Sequence, residues 1–390
     1  MSILRSLFAG SGVSDAPSVS SPAPYGWSWG GYTSAEISSE QAMRLSAVYA
    51  CLRLLSEAVA TLPLDTFVRR GGTRQSYRPR PDYLSFQPPQ GSRVDYLSQV
   101  MLSLLTDGNA FVATPRDELG VPVTLVVIDP TQVTVQRQPN GEMRYGIAGQ
   151  TFDEYDVMHV KGMSMPGSLR GLSPLAYARE TIDLGLSAQR FGAAFFTNGA
   201  LPGAVIEAPG DFDKVAAERF AESWNAKHKG IGNAQKVGVL TNGATLNKVS
   251  IAPNDAQFLE TRAFQVPDIA RIFGVPPHLI ADASNSTSWG SGLAEQNLAF
   301  GQFSCRPWVD RVETAHDRLL TTHGLPDVFV RLNMDALLRA GTKERYEAHQ
   351  IAIETGLETL NEARRIEDMA PVPWGDGPPP AMAQPTGGNA

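Results

Sequence analysis

Apolar residues recur at helical spacing at Met43, Ala47, Ala50, Leu54 and Ala58 within SEQAMRLSAVYACLRLLSEAVATL. That period predicts a first helix, with Ser39 as its N-cap and Pro63 closing it. LDTFVR then reads as a strand and RRGG as a turn. A second helix is expected over about 95–106. The runs NAFVATP, VTLVVIDP, VTVQRQ, MRYGI and VMHVKG are short, β-rich and separated by the turn signals PRDELG and QPNGE. They predict an α+β unit with an antiparallel sheet.

The pattern then changes to long helices. GLSPLAYARETIDLGLSAQRFGAAFFTNG starts a helix near Ser173, with Pro174 in its first turn. One stripe at helical spacing is polar or small: Ala176, Glu180, Asp183, Ser187, Arg190, Ala194, Asn198. Another is apolar: Leu175, Ala178, Ile182, Leu186, Ala193, Phe196. A strand–helix–strand block follows, GAVIEA, DKVAAERFAESWNAKHKG and KVGVLT. A second long helix is expected from Asn254 to Phe273, apolar at Leu259, Ala263, Val266, Ile269 and Phe273, and kinked by Pro267. A third runs from Gly292 to Thr322 with Pro307 inside it. The strand VFVRLN and two short helices, Lys343–Glu354 and Thr359–Glu367, complete the chain.

Between the second and third long helices lies ASNSTSWGSG, uncharged and hydroxyl-rich, with one indole, Trp289. A loop of this kind inside a folded domain tends to be functional. The two ends of the chain are rich in Pro, Gly and Ser and read as flexible arms.

Composition narrows the function classes. The 390 residues suffice for two or three domains, and the formal net charge is −7. That charge argues against wrapping nucleic acid electrostatically, though DNA could still pass a weakly interacting wall. Cys51 and Cys305, the two cysteines, form no CxxC and read as buried or idle thiols in a reducing compartment. No apolar run reaches the ~18 residues of a membrane span, and MSILRSLF is too short for a signal h-region.

Catalytic patterns are missing. No GxSxG or GxxxxGK[ST] occurs, WGSG has the wrong spacing for a nucleophile elbow, and KGIGNAQK lacks a third glycine. His159, His228, His278, His316, His323 and His349 form no HExxH. His316 and His323 share a helical face with no third ligand nearby. Asp153, Glu154 and Asp156 could hold a cation but read first as a solvated turn, as does Asp129-Pro130. No catalytic, cofactor-binding or metal-binding residue is assigned, and no cofactor is expected.

Four stretches in order carry a resemblance: LSAVYACLRLLSEAVATLPL, LLTDGNAFV, GLSPLAYARETIDLGLSAQRFGAAFFTNGALPGAVIEAPG, and DAQFLETRAFQVPDIARIFGVPPHLI with the Ser/Asn/Thr-rich loop after it. Over roughly 39–367 they resemble the portal proteins of tailed bacteriophages, in the HK97-like family. The resemblance implies a ring oligomer, usually a dodecamer, at one capsid vertex, through whose channel double-stranded DNA enters and leaves. It implies an α+β portal fold. The expected parts are a flexible arm (1–38), a mixed α/β wing (39–172 and 293–333) and two stem helices (173–198 and 253–279). A clip (199–252), a tunnel loop (280–292), a small crown (334–370) and a flexible tail (371–390) complete the set.

The implied partners are further copies of the chain, DNA in transit, the terminase large subunit, a head–tail adaptor and the major capsid protein. No membrane is expected; the place is the virion, after assembly in the host cytoplasm. Channel candidates are Ser284, Asn285, Ser286, Thr287, Ser288 and Trp289 of the loop, and Glu180, Asp183, Ser187 and Arg190 of the first stem helix. Clip contact candidates are Lys227, Lys229 and Lys236. Blander readings stay open beside these. Trp289 could pack under its own loop, the three lysines could be solvating surface, and Glu180 and Arg190 could form ordinary salt bridges between subunits. Two other functions stay open too: an enzyme of phage head maturation, which would need a Ser/Lys or Ser/His constellation, and an adaptor ring without DNA.

Overall fold

In the SSEQ stretch two serines compete to cap the first helix. Ser39 would face Ala42 three residues on, which has no side-chain acceptor. Ser38 faces Gln41, and the two close a reciprocal capping box with bonds of 3.1 and 3.3 Å. Ser38 is therefore the cap, and the arm expected to include residue 38 ends before it. The computed structural model of the chain describes residues 38–86, 91–197, 204–207, 215, 219, 222, 245–248, 255–280, 291–334, 337, 342–367 and 369–377. They form a mixed α+β fold in two units, Met1–Leu332 and Asn333–Ala390.

The expected first helix is two. α1 spans Ser39–Met43 and α2 spans Ser46–Ala60, with Leu45 extended between them (φ −82°, ψ 116°). The break turns Leu45 inward, where it is buried. β1 (Leu64–Arg70) follows and turns through Gly71-Gly72 into β2 (Thr73–Ser76), whose four residues are all exposed. α3 (Arg93–Asp107) is capped by Ser92, and Gly108 ends it in the left-handed region.

Among the described residues the strands form four small antiparallel sheets rather than one, three of them three-stranded. β3 (Asn109–Ala113) lies between β4 (Val126–Ile128) and β8 (Val157–Lys161). β6 (Met143–Ile147) lies between β5 (Val133–Arg137) and β7 (Gln150–Asp153). These two sheets share one core of Phe111, Ala113, Ile128, Val133, Tyr145, Ile147 and Val157. Burying each large side chain here contributes about 1.5–3 kcal/mol. In the third sheet, β1 lies between β2 and β11 (Val328–Leu332), with Leu64 opposite Leu332.

The long helices appear as expected, with local changes. Ser173 caps α4 (Pro174–Tyr177), and Ala178 links it to α5 (Arg179–Thr197). α6 (Asp255–Phe273) carries Pro267 inside it. The third long helix is not regular. α7 (Ser291–Ala299) runs through a wide π-turn, Phe300–Cys305, into α8 (Arg306–Thr322). Pro307 has no N–H for the Phe303 carbonyl and its ring would crowd it, and the widened turn removes that conflict.

In the block between α5 and α6, β9 (Ala204–Glu207) pairs with β10 (Thr245–Lys248). The strand expected at 236–241 lies outside the described residues. Val215, Arg219 and Glu222 of the expected helix are helical and exposed.

The second unit holds α9 (Thr342–Glu354) and α10 (Leu360–Ile366). Residues 371–377, expected to begin a flexible tail, instead fold onto α10 through the buried Asn361. Its Oδ1 accepts the Val372 N–H at 2.8 Å, and its Nδ2 donates to the Val372 carbonyl at 3.0 Å.

Both cysteines are buried free thiols, and burial pushes each up to about 12. His316 is fully buried; its Nδ1–H donates to the Val312 carbonyl at 2.8 Å, and its Nε2 accepts from the Tyr96 hydroxyl at 3.0 Å. Desolvation lowers its pKa from 6.5. Burial, with Lys161, Arg170 and Arg318 nearby, pushes His159 down to about 3.

Both imidazoles are thus neutral in the fold and take protons near pH 6.5 only when unfolded. A folded pKa below the unfolded one gives stability that is complete above about pH 6.5 and lost as pH falls through the folded value. Thermal midpoints should therefore fall steadily from about pH 6.5 toward pH 3. His316→Gln, less stable at neutral pH, should show a shallower decline. Equal slopes would contradict a neutral buried His316.

Candidate functional site

The α4–α5 helix is fixed to the sheets at its base by one buried side chain. Asn109 is fully buried at the start of β3. Its Oδ1 accepts the Gly171 N–H at 2.6 Å and the His159 Nε2–H at 3.1 Å. Its Nδ2 donates to Asp107 Oδ1 at 2.8 Å and to the Gly171 carbonyl at 3.2 Å. Arg170 adds bonds of 2.7 Å to both Asp107 and the Val133 carbonyl. Three residues after Arg170, the Ser173 hydroxyl donates to the Thr106 carbonyl at 2.6 Å and accepts the Ala176 N–H at 3.1 Å. Helix direction is therefore set by the end of α3. No sequence signal marked Asn109 beyond its being the one polar residue opening an apolar strand.

Leu175, Ala178, Ile182 and Leu186 are buried, as the apolar stripe predicted. Gly185 is buried beside them, and a Cβ there would stand 2.7 Å from Leu45 Cδ2 and 3.6 Å from Gln265 Oε1. The glycine is thus a notch that admits Leu45 and brings α6 close. Ala193, placed on the same stripe, is exposed, and Gly192 is buried instead. Residues this small carry little information about helix phase. On α6, Gln265, Ile269, Ala270 and Phe273 are buried, and Thr181 Oγ1 reaches Asp268 Oδ2 at 3.5 Å across the crossing.

The outward face holds the polar channel candidates. Glu180, Ser187 and Arg190 are exposed and Asp183 is half-buried. They are not alone. Tyr177 is 73% exposed, Leu184 57%, and Phe264 on α6 66%. Leu184 is four residues from Glu180 and three from Ser187, so it shares their face. The sequence reading missed these three because their exposure depends on what covers the helix.

The loop candidates Ser284, Asn285, Ser286, Thr287, Ser288 and Trp289 lie outside the described residues, as do Lys227, Lys229 and Lys236. The base of the loop is described. His278 Nε2 and Asn297 Oδ1 stand 3.5 Å apart across it, and the Ser304 hydroxyl donates to the Gly274 carbonyl. Both flanks are therefore pinned together by side chains of α7 and the π-turn.

The acidic cluster is a turn: Asp153 Oδ1 accepts the N–H groups of Tyr155 and Asp156 at 2.9 and 3.2 Å. Asp129 likewise accepts the Thr131 N–H at 2.9 Å. Among the described residues no group of three His, Cys, Asp or Glu could hold a metal ion, and no helix is long and apolar enough to cross a membrane.

The described residues form a scaffold that packs two long helices together, and known proteins resemble the chain. The family model for phage portal proteins matches residues 46–368. A probable portal protein of Streptomyces phage phiC31 is 45% identical, the match covering 87% of this chain and 78% of that one. The portal protein of Enterobacteria phage HK97 is 30% identical, covering 87% and 82%. In fold, the chain matches a structure of the neck of a native gene transfer agent particle computed with C12 symmetry. There the TM-score is 0.57 at 24% identity, covering 85% of this chain and 93% of that one. A family model matching residues 46–368, with 45% identity to one phage relative, shows that the chain belongs to the phage portal protein family.

Proposed function

We propose that the chain is one subunit of a closed ring, twelve-fold like the neck computed with C12 symmetry, through which double-stranded DNA passes. The observation that carries this reading is the set of exposed large side chains on α4, α5 and α6. Tyr177, Leu184 and Phe264 are large, exposed and set among polar groups. A lone chain gains nothing by exposing them; a neighbour in a ring would cover them. Glu180, Asp183, Ser187 and Arg190 would then face the channel or pair across the subunit junction.

In this reading, residues 39–172 and 293–333 form the wing. The β1–β11 pairing supports joining these two distant segments. Residues 173–198 and 253–279 form the stem, 199–252 the clip, 280–292 the tunnel loop and 334–370 a small crown. The clip, through Lys227, Lys229 and Lys236, would meet the terminase large subunit and later the head–tail adaptor. The wing would meet the major capsid protein. Assembly would take place in the host cytoplasm before the ring enters the virion. The role is structural, with no catalysis assigned.

Light scattering after gel filtration tests the carrying observation. Leu184→Glu with Phe264→Glu should leave a folded chain of unchanged circular dichroism that no longer forms the ring. A double variant that assembles like the wild type would show that these side chains do not face a neighbour.

A further inference from the structure

One surface lies apart from the helices and the loop assigned to the channel. From Arg69 to Arg80 the sequence RRGGTRQSYRPR holds five arginines and no carboxylate, in a chain of net charge −7. It folds into the β1–β2 hairpin. Leu64, Thr66 and Val68 point inward, so Asp65, Phe67 and Arg69 point outward. Phe67 stands opposite Phe329 of β11 on one side and Ser76 of β2 on the other.

The guanidinium groups lie over the two rings. Arg74 Cζ is 3.9 Å from the centre of Phe67, and Arg331 and Arg69 are 4.7 and 5.6 Å from that of Phe329. The rings themselves are 5.9 Å apart. Arg331 is neutralised by Asp317 and Glu313, and Arg78 and Arg80 share Asp65. Arg69, Arg70 and Arg74 are exposed and have no carboxylate partner among the described residues.

Arg69 also stands directly opposite Arg74 in the β1–β2 ladder. Like charges at such a pair repel and weaken a hairpin. An anion between them would relieve that repulsion. Stacking on the rings holds each guanidinium plane while leaving N–H edges free, the arrangement suited to phosphate oxygens.

We propose that this outer face of the β1–β2–β11 sheet docks the phosphate backbone of duplex DNA, as a second contact separate from the helices and the loop. The proposal rests on the portal reading only in that DNA is the polyanion at hand. An acidic protein surface fits less well. Protein interfaces are built around exposed apolar anchors, and here the arginines cover the rings, so neither Phe67 nor Phe329 is among the exposed large hydrophobics. The negative charge elsewhere on the chain makes the contact local and strongly salt-dependent.

The test uses the purified, assembled full chain and a fluorescent duplex of about three helical turns, with anisotropy read from ~50 to ~200 mM salt. Arg69→Ala with Arg74→Ala should weaken binding at least about tenfold near ~0.1 M salt. It should also flatten the salt slope by about 0.9 for each arginine removed. Arg53→Ala with Arg137→Ala removes the same charge from two exposed arginines elsewhere and should change affinity far less.

Three results overturn the proposal. Equal losses in the two double variants would mean that only net charge matters. Lost oligomerisation with unchanged DNA affinity would assign the face to a neighbouring copy. Polyglutamate binding as tight as duplex, and as sensitive to Arg69 and Arg74, would assign it to an acidic protein. None of these readouts measures passage through a channel, so each leaves the portal reading intact.

Discussion

Gly108→Ala should lower the thermal midpoint by roughly 6 °C, a large effect for one methyl group. Gly108 holds φ at +82°, where an L-residue costs about 1–2 kcal/mol. Its added Cβ would stand 2.1 Å from the Leu172 carbonyl oxygen, 2.5 Å from the Leu172 carbon and 3.0 Å from the Ser173 nitrogen. These are backbone atoms, so no side chain can swing aside; overpacking of that kind adds about 1–3 kcal/mol. The total reaches about 4 kcal/mol, and a unit running to Leu332 loses roughly 1.5 °C per kcal/mol.

The strand of chain pushed away is the one that enters α4, so the Asn109 and Ser173 bonds would loosen with it. Gly120→Ala is the control. Gly120 holds φ at +80° with nothing within 4 Å of its Cβ position, and should lose only the conformational part. Matching midpoints for the two variants would show that the Gly108–Leu172 contact does not constrain the fold.

The second large effect falls on DNA passage. No charged residue lies between Asp282 and Glu295. A wall that DNA slides past must not hold phosphates, and a ring multiplies every added charge by its number of subunits. Ser286→Lys with Ser288→Lys should therefore cut packaging into heads at least about tenfold, while ring formation and thermal midpoint stay as in the wild type. Replacing Ser284–Ser288 with glycines, or Trp289→Ala, should impair packaging or retention less severely, again without loss of stability. A lysine variant that packages at the wild-type rate would remove the loop from the channel constriction.

Much of the fold was legible because period and capping are local properties. The long helices, the Ser173-Pro174 start and most strands of the two sheets that share a core follow from spacing and residue type; the π-turn before Pro307 does not, and reads from spacing as continuous helix. β2 and β7 were missed because Thr73–Ser76 is wholly exposed and Gln150–Asp153 is polar at all but Phe152, so neither alternates. The split at Leu45 was missed because it depends on the notch at Gly185, some 140 residues away.

The candidate site was legible in part. Glu180, Ser187 and Arg190 were found on an exposed face, but Tyr177, Leu184 and Phe264 were not, since an apolar residue shows no sign in sequence of what will cover it. The arginine run of the β1–β2 hairpin stood in plain sight and was masked by the net charge of the whole chain. The loop and clip candidates rest on family resemblance and on composition.

Electron microscopy of the purified wild-type chain tests the central claim most directly. The account predicts closed twelve-fold rings with a central opening, and the α5 helix from Arg179 to Thr197 lining it. A stable monomer at micromolar concentration in moderate salt, or an open or solid assembly with no central passage, would contradict it.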